Sequence, residues 1–90
     1  MFRIVKERCG YPEEIEVYDD DIRMYLNDCL EDMKASGVPE RLLNKEQPGP
    51  QTVTAVTLYV KAYLGDDRTD TEKYLDLYRK KVARLILEEE

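Results

Sequence analysis

Val53-Thr54-Ala55-Val56-Thr57-Leu58-Tyr59-Val60-Lys61-Ala62-Tyr63-Leu64, residues 53–64, is the most hydrophobic stretch of the chain and the one that decides its fold. Its β-branched content raises the possibility of a strand. The run is too long for one, however, and its Ala and Lys are helix formers. As a helix it carries Val53, Val56, Val60 and Tyr63 on one face and Ala55, Leu58, Tyr59 and Ala62 on the other side. A helix apolar around most of its girth belongs in the middle of a bundle. Pro50 suits its first turn, where a missing N–H costs nothing, and Gly65 closes it.

Working outward, each flanking segment supplies a stripe to cover that centre. After Gly65, Thr69-Asp70-Thr71-Glu72 matches a capping box and opens a last helix with Tyr74, Leu75, Tyr78, Val82, Leu85 and Ile86 on one face. Glu88 to Glu90 put negative charge at the negative dipole end, so fraying is expected there. Upstream, Ile22, Leu26, Cys29, Leu30 and Met33 form one helical face that stops at Gly37, with Pro39 beyond. The run Asp19-Asp20-Asp21 offers this helix an N-cap and favourable charge at its start. Phe2, Val5 and Cys9 give a short leading helix that ends at Gly10 and Pro12. Between them lies an acidic linker: residues 13–21 hold six carboxylates and no basic residue. Val38 to Pro50 form a long loop containing Pro39, Pro48 and Gly49, with Leu42 and Leu43 to anchor its middle. The expected fold is all-α: three main helices plus a short N-terminal one, with the Pro-containing loop between the first and second main helices. The expected core is Ile22, Leu26, Leu30, Val53, Val56, Val60, Tyr74, Tyr78, Val82 and Leu85. Ninety residues hold one domain, spanning residues 1–90.

Composition narrows the function. With no histidine, no C-x-x-C spacing and only Cys9 and Cys29, the thiols read as free and packed as small hydrophobes. Consecutive Asp19, Asp20 and Asp21 point about 100° apart on a helix and do not converge on one ion. Calcium loops, glycine-rich phosphate loops and Ser/His/Asp sets are absent, so neither a cofactor nor catalysis is expected. A net charge of −6 opposes tight binding to nucleic acid. No run reaches the roughly 20 apolar residues of a membrane span. The N-terminal residues lack a signal-peptide pattern, which reads as an intracellular protein. The tyrosine pairs Tyr59/Tyr63 and Tyr74/Tyr78, each at i, i+4 on facing helices, read as core-edge or interface residues rather than base-stacking platforms.

Charge distribution says more than net charge. Against the acidic linker stands a basic block on the last helix: Arg79, Lys80, Lys81 and Arg84. Complementation of the helix dipole is one reading. The other is a head-to-tail contact, acidic edge of one copy on basic edge of the next, which closes into a ring when the rotation allows.

The order of elements carries a resemblance. Val17-Tyr18-Asp19-Asp20-Asp21-Ile22 opens a helix that ends Lys34-Ala35-Ser36-Gly37-Val38; a variable loop follows, then residues 53–65 and Glu72-Lys73-Tyr74-Leu75-Asp76-Leu77-Tyr78. Over nearly its full length the chain resembles the head–tail connector (adaptor) proteins of long-tailed double-stranded-DNA bacteriophages and prophages. The resemblance implies a non-enzymatic ring of commonly about twelve copies under the capsid portal protein. Such a ring extends the DNA channel and offers a surface to a stopper or tail-completion protein, without sequence-specific DNA binding. It further implies a place at the head–tail junction of the virion, with assembly in the bacterial cytoplasm. By that analogy Arg79, Lys80, Lys81, Arg84, Asp19 and Asp20 are expected at a subunit or portal interface. Leu42, Leu43, Asn44 and Lys45 are expected to make contacts outside the bundle. The competing reading is a small acidic regulatory module, monomeric or dimeric, that binds one protein partner; it needs a single self-complementary patch where a ring needs two different edges.

Overall fold

A computed structural model of the chain describes residues 1–64 and 68–87. Four α-helices run in order: α1 (Phe2–Arg8), α2 (Asp19–Ser36), α3 (Pro50–Leu64) and α4 (Arg68–Leu87), with a 3-10 turn at Glu40–Leu43. Among the described residues there is no strand. The expected stop at Gly65, the cap by the Thr69 side chain and the fraying at residues 88–90 lie outside what is described.

α3 is the centre of the bundle, packing most extensively on α4, then on α2, and also on α1. Its Thr52, Val53, Ala55, Val56, Thr57, Val60 and Ala62 are all buried. Two of its three β-branched threonines fit the helix by bonding back one turn. Thr57 Oγ1 donates to the Val53 carbonyl at 2.8 Å and Thr54 Oγ1 to the Pro50 carbonyl at 3.1 Å. One cluster of buried apolar side chains draws on all four helices, from Val5 through Ile22, Leu26, Cys29, Leu30 and Met33 to Val56, Val60, Tyr78, Val82 and Leu85. Nine of the ten expected core residues are buried. Tyr74 is the exception. It is half-buried at the α3–α4 edge, with Lys61 Nζ 5.9 Å from its ring centroid. Tyr63, expected on the same face as Val56, is exposed.

The ends of α1 and α2 are built alike. Gly10 (φ 91°) and Gly37 (φ 102°) take left-handed conformations that other residues avoid. In each case two amides close the helix: Gly10 N–H to Glu7 and Tyr11 N–H to Lys6, then Gly37 N–H to Lys34 and Val38 N–H to Met33. At the second stop Val38 and Met33 are both buried, so a hydrophobic contact seals the turn and starts the loop toward the core. The start of α2 differs from expectation. Tyr18 occupies the N-cap position without a side-chain hydrogen bond, and Asp19, Asp20 and Asp21 form the first turn. Their charge still lies at the positive end of the dipole, but no aspartate serves as cap.

Val56 is fully buried at the centre of this arrangement. Val56→Asp should place an unpaired charge there, at a cost exceeding about 4 kcal/mol, comparable with the whole stability of a small domain. Circular dichroism at 25 °C is expected to show loss of the helical spectrum; a folded, soluble variant would contradict the placement of α3.

Candidate functional site

The basic block lies along the second half of α4. Arg79, Lys80 and Arg84 are exposed and Lys81 is half-buried. Lys80 Nζ lies 3.2 Å from Asp76 Oδ2, an exposed i, i+4 pair that contributes little to stability. Lys81 Nζ donates to Gln51 Oε1 at 2.6 Å and so bridges the start of α3. Helix-dipole effects fade beyond the last turn. Only Arg84 of the four lies in that turn, so the dipole accounts for Arg84 and leaves Arg79, Lys80 and Lys81 without that explanation. Between α3 and α4, Lys80, Lys81 and Arg84 border a groove of about 340 Å3. Its other lining residues are Thr54, Leu58 and Leu77, and Leu77 remains 39% exposed.

The acidic edge divides in two. Asp19 does not face outward as a free carboxylate: its Oδ1 lies 2.8 Å from Lys6 Nζ, and the Lys6 side chain is 5% exposed. Lys6 also donates to the Glu13 carbonyl at 3.1 Å, so one buried cation holds both ends of the linker. Two further contacts fasten α1: Arg23 sits 4.1 Å above the Phe2 ring, and the rings of Tyr11 and Tyr18 lie 4.9 Å apart across the linker. Asp20 remains exposed, as do Glu13, Glu14 and Glu16. The linker also exposes Ile15 (41%), Val17 (76%) and Tyr18 (41%).

Within the long loop, Leu42 and Leu43 pack against the core. Asn44 Oδ1 accepts from the amides of Glu46 (2.8 Å) and Gln47 (3.2 Å), an Asx-type turn. Lys45 Nζ donates to Asn27 Oδ1 at 2.8 Å, and its carbonyl accepts from the Met1 amino group at 3.1 Å. The loop is therefore fastened to α2 and α1, and its outward surface includes Asn44, Lys45, Glu46 and Gln47.

The tyrosines form a chain across α2, α3 and α4. Tyr25 stacks on Tyr63 (5.5 Å between centroids), Tyr63 contacts Tyr59 (4.8 Å), and Tyr59 meets Tyr78 edge-on (5.1 Å). Tyr78 donates to Asp32 Oδ2 at 2.7 Å, and burial pushes its phenol well above the usual range. Burial likewise raises the Cys29 thiol to about 12, and Cys9 to about 11 against the opposing charge of Lys61. Such thiols stay protonated at neutral pH and make poor nucleophiles. Among the described residues no group of three His, Cys, Asp or Glu is arranged to hold a metal, and no helix is long and apolar enough to cross a membrane.

Sequence reasoning identified the basic block but not the groove beside it, nor Lys6. Six carboxylates without a local counter-charge were the available signal for a buried cation. With that geometry established, comparison with known proteins adds one match: a family model described as "Phage connector protein" matches residues 1–90. No curated protein and no solved structure matches.

Lys6→Ala should cost about 2 kcal/mol, less than for a fully buried pair because Asp19 is 24% exposed. Urea melts are expected to show a lower midpoint, largely restored in a Lys6→Met, Asp19→Asn double variant. The thiols predict an alkaline limit. An unfolded thiol ionises from about pH 9, whereas the folded ones hold their protons to about 11 and 12. Their stabilising contribution is complete below about pH 9 and is lost as pH rises through about 11 for Cys9 and about 12 for Cys29. The urea midpoint should therefore fall between about pH 9 and 12, and alkylation at about pH 8 should label neither cysteine until the chain is unfolded.

Proposed function

Because the chain belongs to the phage connector protein family, we propose that it works as a ring-forming adaptor between capsid and tail. Copies of the chain stand side by side beneath the portal protein, continue the DNA channel, and present a surface to the stopper or tail-completion protein. The observation that carries this reading is the family match across all of residues 1–90. Two features of the molecule support the finer parts.

First, the charged surfaces are of different kinds. The cationic edge of α4 and the acidic region around Asp20 are not copies of one self-complementary patch. Contacts between unlike patches run head to tail and close when the rotation returns to its start. Arg79, Lys80, Lys81 and Arg84 are the contact residues for a neighbour or the portal. On the opposite side of that contact Asp20 is available, whereas Asp19 supports it from within the Lys6 pair. Second, each copy brings a net charge of −6. A ring of such subunits presents phosphates with a repulsive wall, through which DNA slides instead of adhering. The loop surface at Asn44 and Lys45, backed by Leu42 and Leu43, is presented to partners outside the bundle.

Loss of the gene in its source phage should leave DNA-filled heads unjoined to tails in electron micrographs of the lysate. Lys80→Glu with Lys81→Glu should give the same defect in weaker form. Normal tailed particles in the absence of the protein would overturn the adaptor role.

A further inference from the structure

We infer that the groove between α3 and α4 receives the acidic linker of a second copy of this chain. The inference rests on the ring reading above and identifies the parts that meet.

The groove has two properties that a purely electrostatic patch lacks. Leu58 and Leu77 supply apolar surface, and Lys80, Lys81 and Arg84 surround it with positive charge. A phosphate backbone would satisfy the cations but leave the leucines wet. The complementary ligand is a short segment carrying apolar side chains between carboxylates. The chain contains one such segment in exposed form: Glu14-Ile15-Glu16-Val17, in which Ile15 is 41% and Val17 76% exposed. Two apolar side chains meet two leucines, and two carboxylates meet the cationic rim.

The linker is also presented ready to bind. Lys6 holds the Glu13 carbonyl and the Asp19 carboxylate, and Tyr11 lies against Tyr18 across the segment. Its ends are therefore fixed by the chain's own fold, which lowers the ordering cost that a free peptide incurs on docking. Within one copy the groove lining comes from α3 and α4 alone among the described residues, so the linker's own copy does not occupy it. Groove and linker are different surfaces on each subunit, and their contact repeats from copy to copy.

A charge exchange tests this directly. Two variants are purified, one carrying Glu14→Lys and Glu16→Lys, the other Lys80→Glu and Arg84→Glu. All four side chains are exposed, so both variants should keep the wild-type circular dichroism spectrum and melting temperature within a few degrees. By sedimentation velocity, each variant alone should associate about tenfold more weakly than wild type, or not at all. An equimolar mixture should recover association, because the cationic linker of one variant fits the anionic groove of the other. Wild-type association by either variant alone, or no recovery in the mixture, overturns this inference and assigns the groove to another occupant. A wild-type chain that never associates overturns the ring reading itself.

Discussion

Everything in this bundle follows from the need to cover α3. A helix with Thr52, Val53, Ala55, Val56, Thr57, Val60 and Ala62 all buried has almost no face to give to water. Each valine removed from solvent contributes about 2 kcal/mol, but only if other elements close around it. In a chain of 90 residues no second layer is available, so α1, α2 and α4 must each serve as part of the cover. That demand explains why a helix as short as α1 is present at all: alone it is marginal, and against α3 it contributes Val5 to the shared cluster.

Covering α3 with so short a helix leaves a fastening problem, and the Lys6–Asp19 pair is the solution the chain uses. A buried ammonium is costly unless its donors are taken up. Lys6 pairs its charge with the Asp19 carboxylate and donates a hydrogen bond to the Glu13 carbonyl. The same contact that pins α1 to α2 thus shapes the linker between them. Fold and surface are coupled there: the linker's carboxylates and its exposed Ile15 and Val17 are displayed by a device whose first role is structural.

Most of the architecture was legible in the sequence because it rests on periodicity and stop signals, both local. Gly10 and Gly37 end helices where a positive φ is required, and the α2 stripe from Ile22 to Met33 is buried as its spacing implies. What failed was not local. Tyr74 has the spacing of a core residue but sits at the edge of the α3–α4 contact, and a stripe does not reveal where its partner helix ends. The aspartate run looked like a cap because caps are read from residue type, whereas the Asp19 carboxylate is drawn to a lysine on another helix. Lys6 itself reads as a surface residue in any window of α1. The basic block was visible as four cations, but the groove beside it required knowing that Leu58 and Leu77 line one depression from two helices.

These surfaces bear on the conduit for DNA that is proposed for this chain. A channel wall must repel phosphate, yet subunits that share the same net charge also repel one another. The conflict is resolved by segregation. Carboxylates dominate the chain as a whole, while the cations of Arg79, Lys80, Lys81 and Arg84 are gathered in one half of α4, next to apolar surface. In the proposed ring, attraction is then confined to one contact per neighbour, where apolar burial works alongside charge and salt screens only part of it. The proposed arrangement leaves most carboxylates outside that contact, where they keep the negative sign that passage of DNA favours.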